Sequence, residues 1–303
     1  MRGVLIVTGQ TASGKSALAL ALAERFDAEI VGADSRQVYR GMAIGTAAPS
    51  AADQARVPHH LVGFLDPGER YSAARFVDDA LAAIDAIHAR GRRAIVVGGT
   101  GFYVRALTGA VALSPVRDEA LRERLAHEAR VHPVEALSAW LRALDPALAA
   151  RVPPHDAYRV TRALEIALAR REHVAAPPSD PGATLRTRGI PFRKLLLEID
   201  PETLRRRIDA RVDAMLAAGL LEEAERIGAE AVAADAVGYR EALAYLSGWS
   251  TRPELREHLA RNTRRYAKRQ ATWFRTEPDL VRIGEGDVLA RAAAEAGALA
   301  GWA

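Results

Sequence analysis

The feature that most constrains this chain is the stretch Gly9-Gln10-Thr11-Ala12-Ser13-Gly14-Lys15-Ser16, which satisfies G-x-x-x-x-G-K-[ST] at every position. Its flanks are of the required kind. Val4–Val7 is a short apolar run that reads as a buried strand, and Ser16–Arg25 is apolar-periodic and reads as a helix. The glycines let the backbone wrap a phosphate, so that successive amide N–H groups point inward. The helix N-terminus adds a favourable field for an anion. Lys15 supplies positive charge to the phosphates, and the Ser16 hydroxyl is placed to sit on Mg²⁺. The loop therefore predicts a bound polyphosphate without saying which one. A hydrolytic ATPase or motor would carry a second apolar strand ending in an Mg²⁺-binding Asp. The best candidate strand, Ala94–Val97, runs instead into Gly98-Gly99-Thr100-Gly101. That counts against such an ATPase. It leaves open a P-loop kinase of a small molecule or nucleoside, and an RNA-binding protein that uses a nucleotide as a switch.

The first hundred residues alternate between strand and helix patterns. Strands are predicted at Val4–Val7, Glu29–Ala33 and Arg93–Val97, and an amphipathic helix at Ala73–Arg90 stopped by Gly91. This alternation predicts an α/β fold: a P-loop NTPase-like parallel sheet with helices on both faces. After Leu113 the pattern changes. Arg117–Arg130, Pro133–Leu144 and Tyr158–Arg171 read as helices, and the next strand pattern is Lys194–Ile199. The expected organisation is thus a core begun by residues 1–113, an all-helical insertion domain over 114–190, and the core continued by 191–303 with one strand and then helices. The insertion leaves through Ala175–Pro191, whose Pro, Gly, Ser and Thr content predicts a linker.

Composition narrows the chemistry. The 303 residues are 49% hydrophobic and 26% charged, enough for a packed core without covalent staples. The chain has no cysteine, which excludes disulfides, thiol catalysis and Cys-ligated zinc and suits a cytoplasmic location. No apolar run approaches the ~20 residues of a membrane helix, so no membrane association is expected. The basic residues are almost all Arg, a bias matched by the Ala content, yet they also cluster. Arg261–Arg275 holds six basic residues and no acid, interleaved with Tyr266, Trp273 and Phe274. Such a stretch is either a phosphate-backbone footprint with bases stacked on its aromatics, or a solvated helix face with its aromatics in the core. Asp34 and Thr100 follow strands and would share a rim with the phosphate loop. A carboxylate there is placed to take a proton from a nucleophile; an ordinary turn aspartate fits equally well. His59-His60 lacks spaced partner ligands and reads as structural. Arg159 with Arg162, and Arg207 with Arg211, would each lie on one helix face, which suits phosphate capture.

The ordered blocks GQTASGKS, ADSRQVYRGMAIGTA, PHHL, YSAARF, GGTGFYVRAL, DAYRVTRALEI, RIDARVDAML, GYREAL and TRRYAKRQATWFR together resemble the tRNA dimethylallyltransferases (tRNA isopentenyltransferases) from Val4 to about Arg275. The resemblance implies transfer of a dimethylallyl group from dimethylallyl diphosphate to N6 of the adenosine 3′-adjacent to the anticodon, with tRNA (anticodon stem-loop) and the prenyl diphosphate as partners and Mg²⁺ as cofactor. A monomer is expected. The donor diphosphate falls to Gly9, Gln10, Thr11, Ala12, Ser13, Gly14, Lys15 and Ser16, with Ser16 on the metal. Asp34 becomes the acceptor of the N6 proton, and Thr100, Lys15 and Arg211 complete the catalytic set, Arg211 on the diphosphate. The implied tRNA contacts are Asp34, Ser35, Arg36 and Gln37, then Thr100 and Arg122, then Tyr158, Arg159, Val160, Thr161 and Arg162. They continue with Asp235, Ala236, Val237, Gly238, Tyr239 and Arg240, and end with Lys268, Arg269, Gln270, Ala271, Thr272, Trp273, Phe274 and Arg275. The chain departs from the family pattern at Gln10, where Pro is usual, at Tyr158, where Gln or another polar residue is usual, and at Asp235, where some members are basic. The first departure predicts a modest change in loop stiffness, the other two altered tRNA contacts.

Overall fold

The computed structural model describes residues 2–111, 113, 119–172, 182–284 and 286–302. Six strands, β1 (Val4–Gly9), β2 (Ala28–Gly32), β3 (His59–His60), β4 (Arg93–Gly98), β5 (Phe192–Leu197) and β6 (Leu280–Ile283), form one sheet in the order β3-β2-β4-β1-β5-β6. Every neighbouring pair is parallel. The central strand β1 sets Val4 against Ala94 of β4 on one side and Phe192 of β5 on the other. All six of its residues are buried, so helices must cover both faces. The expected α/β parallel sheet is thus the fold found.

The helices begin where side chains satisfy their first amides. Ser72 accepts from Arg75 N at 3.2 Å to open Ala73–Ala89, whose buried Phe76, Val77, Ala80, Leu81, Ile84 and Ile87 make one apolar stripe. Asp200 accepts from Thr203 N at 2.7 Å to open Pro201–Ala217, with Pro at its first position. Glu254 accepts from Thr251 N at 2.7 Å in a capping box that opens the long helix Arg252–Arg275.

The chain divides into two compact units: Met1–Val111 with Ala183–Ala303, and Ala112–Gly182. The second unit holds Glu119–Val131, Val134–Leu144 and Ala157–Glu172, packed through buried Leu121, Leu125, Leu137, Leu141, Val160 and Leu164. Three readings of the sequence change. The C-terminal segment contributes two strands, not one; β6 is only four residues long and lies at the sheet edge, too short to show alternation. β3 is two residues long and carries no strand pattern at all. The expected linker lies partly outside the described residues. Its described end packs on the core unit, where Leu185 is buried and donates its N–H to Leu107 O at 2.9 Å. His60 fills a structural role, bonded through Nε2 to the buried Glu29 carboxylate at 2.6 Å. Burial would raise that carboxyl, but hydrogen bonds from Arg90 and His60 outweigh it and hold it below its usual range. No helix among the described residues is long and apolar enough to cross a membrane.

Candidate active site

The phosphate loop is a backbone structure held by glycines and by a second helix. Gly14 caps the helix Lys15–Phe26 at φ +99°, a conformation that an L side chain strains to adopt. A Cβ on Gly9 would meet Leu197 O and Ser13 Oγ at 2.9 Å each, so the loop closes tightly on β5. Arg207 donates to Ser13 O at 3.0 Å. Two glutamines tie the loop to the helix Arg252–Arg275. Gln10, the departure from the family pattern, donates to Ala267 O at 3.1 Å, and Gln270 accepts from Thr11 N at 2.7 Å.

At the carboxyl end of β2, Asp34 Oδ1 accepts from Arg36 N at 2.9 Å, forming a turn that fixes the carboxylate. Thr100 holds the same turn from the end of β4, its Oγ1 accepting from Ser35 N at 3.0 Å. Lys15 and Arg211 both feel the Asp34 charge. Burial pulls the Lys15 ammonium down to about 8; Asp34 opposes that fall and Arg211 adds to it. Burial likewise lowers Arg211, which donates to Thr46 O at 3.2 Å. Two cations and one carboxylate thus face each other in a partly dry pocket, a field suited to an anion with several charges.

These groups share a cavity of about 280 Å³. It is lined by Thr11, Lys15 and Ser16 of the loop region, by Asp34–Gln37, by Arg211, by Asp235–Gly238, and by Tyr266, Arg269 and Gln270 of the long helix. The far wall rests on Glu223, a residue that sequence reading missed. Its buried carboxylate accepts from Ile44 N at 3.0 Å, Gly45 N at 2.9 Å and the Tyr239 hydroxyl at 2.6 Å. A hard cation wants oxygen ligands. The Ser16 hydroxyl and Asp34 carboxylate line one recess beside Lys15 and fit that requirement. Among the described residues no cluster of three His, Cys, Asp or Glu could hold a metal alone, so ligand oxygens and water would complete the set.

Several side chains expected to face RNA do not. Tyr239 is fully buried under Gly45, whose Cβ would lie 2.5 Å from its ring, and burial with Glu223 pushes its phenol far up. Val160 and Phe274 are also buried, as are Ala236 and Gln270, which border only the cavity. In the long helix Ala267, Gln270 and Phe274 recur at i, i+3 and i+7 and form the inner face, while Lys268, Thr272 and Arg275 point outward and Arg269 is exposed where it lines the cavity. Trp273 lies under Arg105, 4.4 Å from its guanidinium carbon, and a Cβ on Gly101 would sit 2.1 Å from its ring. That close approach is the signal the Gly98–Gly101 run carried. Asp235 forms an ion pair with Arg36 at 2.7 Å. Within the helical unit, Arg122 and Arg162 both pair with the buried Glu165 carboxylate, and Tyr158 is 81% exposed.

A phosphate-loop motif between β1 and its helix, on a parallel sheet with a charged cavity at the strand ends, defines a P-loop α/β protein. The comparisons with known proteins are narrower. The IPP transferase profile matches residues 37–277. A tRNA dimethylallyltransferase of Geobacter metallireducens is 45% identical over 287 residues, covering 92% of each chain. One of Anaeromyxobacter dehalogenans is 48% identical over 286 residues, covering 92% of this chain and 94% of its own. The crystal structure of the full-length tRNA isopentenylpyrophosphate transferase of Bacillus halodurans superposes with a TM-score of 0.70 at 36% identity, covering 98% of this chain and 96% of that one. A eukaryotic dimethylallyltransferase captured acting on tRNA superposes with a TM-score of 0.75 at 26% identity, covering 95% of this chain and 75% of that one. The chain belongs to the IPP transferase family.

Proposed function

We propose that this protein is a tRNA dimethylallyltransferase, moving the dimethylallyl group of dimethylallyl diphosphate onto N6 of the adenosine 3′-adjacent to the anticodon. The observation that carries this reading is the convergence of Lys15, Arg211 and Asp34 on one cavity beside a phosphate loop whose neighbouring strand β4 ends at Gly98 and runs on into Gly99 and Thr100. In the reaction the allylic C1–O bond breaks, a C1–N6 bond forms, diphosphate leaves and one N6 proton is lost. The loop amides, Lys15 and Arg211 meet the charge that develops on the leaving diphosphate. Asp34, oriented by its own turn and by Thr100, takes the N6 proton. Mg²⁺, when bound at the Ser16 hydroxyl, supplies further neutralisation of the diphosphate. The target base lies in a stacked loop and must be extruded to reach the cavity.

Contact with tRNA falls to the exposed cations Lys268, Arg269 and Arg275, to Arg36, and to Tyr158, Arg159 and Arg162 of the helical unit. The cavity is complete within one chain, which supports catalysis by a monomer, and the cysteine-free composition suits the cytoplasm. The test is incubation with Mg²⁺, radiolabelled dimethylallyl diphosphate and unmodified tRNA bearing adenosine 3′ of the anticodon, with labelled ATP in parallel. Label in the tRNA is the expected result. ATP consumption without prenyl transfer would make the protein a kinase instead.

A further inference from the structure

The amide of Gln270 joins three parts of the donor site. Its Oε1 accepts from Thr11 N at 2.7 Å, and its Nε2 donates to Gly99 O at 2.9 Å. The residue is only 5% exposed, and a Cβ on Gly99 would sit 2.2 Å from its Nε2, so the contact depends on glycine at that position. With these partners Gln270 is not placed to read a base, and the Thr11 N–H is directed at the helix instead of into the phosphate cradle. The neighbouring residues Lys268 and Arg269 are exposed on the same helix, Arg269 beside the cavity. A force applied by an RNA backbone to those cations would have a direct path to the phosphate loop through the Gln270–Thr11 hydrogen bond. Gln10, through Ala267 O, adds a second point of attachment one turn earlier.

We propose that Gln270, seconded by Gln10, is a positioning residue that couples the RNA-binding face of the long helix to the donor phosphate loop, so that tRNA and diphosphate each tighten the binding of the other. This rests on the dimethylallyl-transfer reading. The physical argument is reciprocal: if RNA settles the helix, and the helix holds Thr11, then the loop geometry preferred by diphosphate is the one RNA also prefers.

The test is a binding cycle on the whole protein with unmodified tRNA, using Mg²⁺ and inorganic diphosphate as the probe. In the unaltered protein, saturating diphosphate is expected to tighten tRNA binding by about fivefold or more. In Gln270→Met, which keeps the length and removes both hydrogen bonds, that factor is expected to fall below about twofold while the tRNA Kd without diphosphate stays within about twofold. Gln270→Glu keeps the acceptor for Thr11 but loses the donor to Gly99, and Gln10→Ala removes the outer attachment alone; both are expected to give intermediate factors. Independent binding of the two ligands to the unaltered protein overturns the proposal, whether or not any variant folds. So does an unchanged factor in Gln270→Met. Failure of the transfer reading looks different: no labelled tRNA forms even with the unaltered protein.

Discussion

The phosphate loop and the long basic helix lie against each other but encode their tasks in opposite ways. In Gly9–Ser16 the groups proposed to hold phosphate are mostly backbone amides, and the loop is shaped by the side chains missing at Gly9 and Gly14. In Arg252–Arg275 the groups are side chains, and helical phase alone decides whether each is core or surface. Gln270 and Arg269 are adjacent in sequence, yet one is buried against the loop and the other exposed. The lesson is that a motif can be assigned whole in the first region but only residue by residue in the second.

The strongest way to sharpen this contrast is at the rim of the loop. Asp34→Ala is expected to lower turnover by about 10²–10⁴-fold, more than it lowers donor affinity, because proton transfer and N6 orientation are lost while the loop, Lys15 and Arg211 still hold the diphosphate. Single-turnover transfer at saturating donor checks it; near-normal turnover would remove Asp34 from the chemistry. On the helix, Phe274→Ala is expected to act on stability and not on RNA. Emptying a fully buried aromatic site costs about 3–5 kcal/mol, read as a fall in the denaturant midpoint. A variant of normal stability with weakened tRNA binding would return Phe274 to the RNA face.

The loop also predicts a pH effect that the helix does not. A polyanion binds best when Lys15 is protonated, and its pKa lies at about 8 in the free protein. Donor affinity should therefore be level below that pH and weaken above it, by up to about tenfold per unit. Titration calorimetry from pH 6.5 to about 9.5 would show the bend; a flat profile would mean that Lys15 stays charged throughout. The smallest effects belong to the exposed cations of the helix. Lys268→Ala and Arg269→Ala should each weaken tRNA binding a few-fold and reduce the slope of log K against log salt by about one. An unchanged slope would take that residue off the RNA.

How much was legible in the sequence follows the same division. The strand–loop–helix at the N-terminus, the helix at Ala73–Ala89 and the helical character of the insertion all show in periodicity, because each buries a repeating apolar face. The edge strands β3 and β6 did not, since two and four residues are too few to display a period. Asp34, Lys15 and Arg211 were placed from motif and family likeness, and the structure gathers them in one cavity. The work of Gln270 was hidden because its partners, Thr11 and Gly99, are 259 and 171 residues away along the chain. Its i, i+3, i+7 spacing with Ala267 and Phe274 was the one available hint. Glu223 gave no signal at all, because its partners, two backbone amides and the Tyr239 hydroxyl, lie on segments remote from it in the chain.

The strand order has a consequence for how the protein is made. β1 lies between β4 and β5, and the helical unit is spliced into the chain between those two strands. While a ribosome is still translating the splice, the phosphate-binding strand has only one of its two neighbours, and Leu197, which closes on Gly9, does not yet exist. At synthesis rates of about 5–20 residues per second, the nascent N-terminal segment waits several seconds with an open sheet edge and an unfinished anion cradle. The helical unit, whose own core is local in sequence, has that interval in which to fold first.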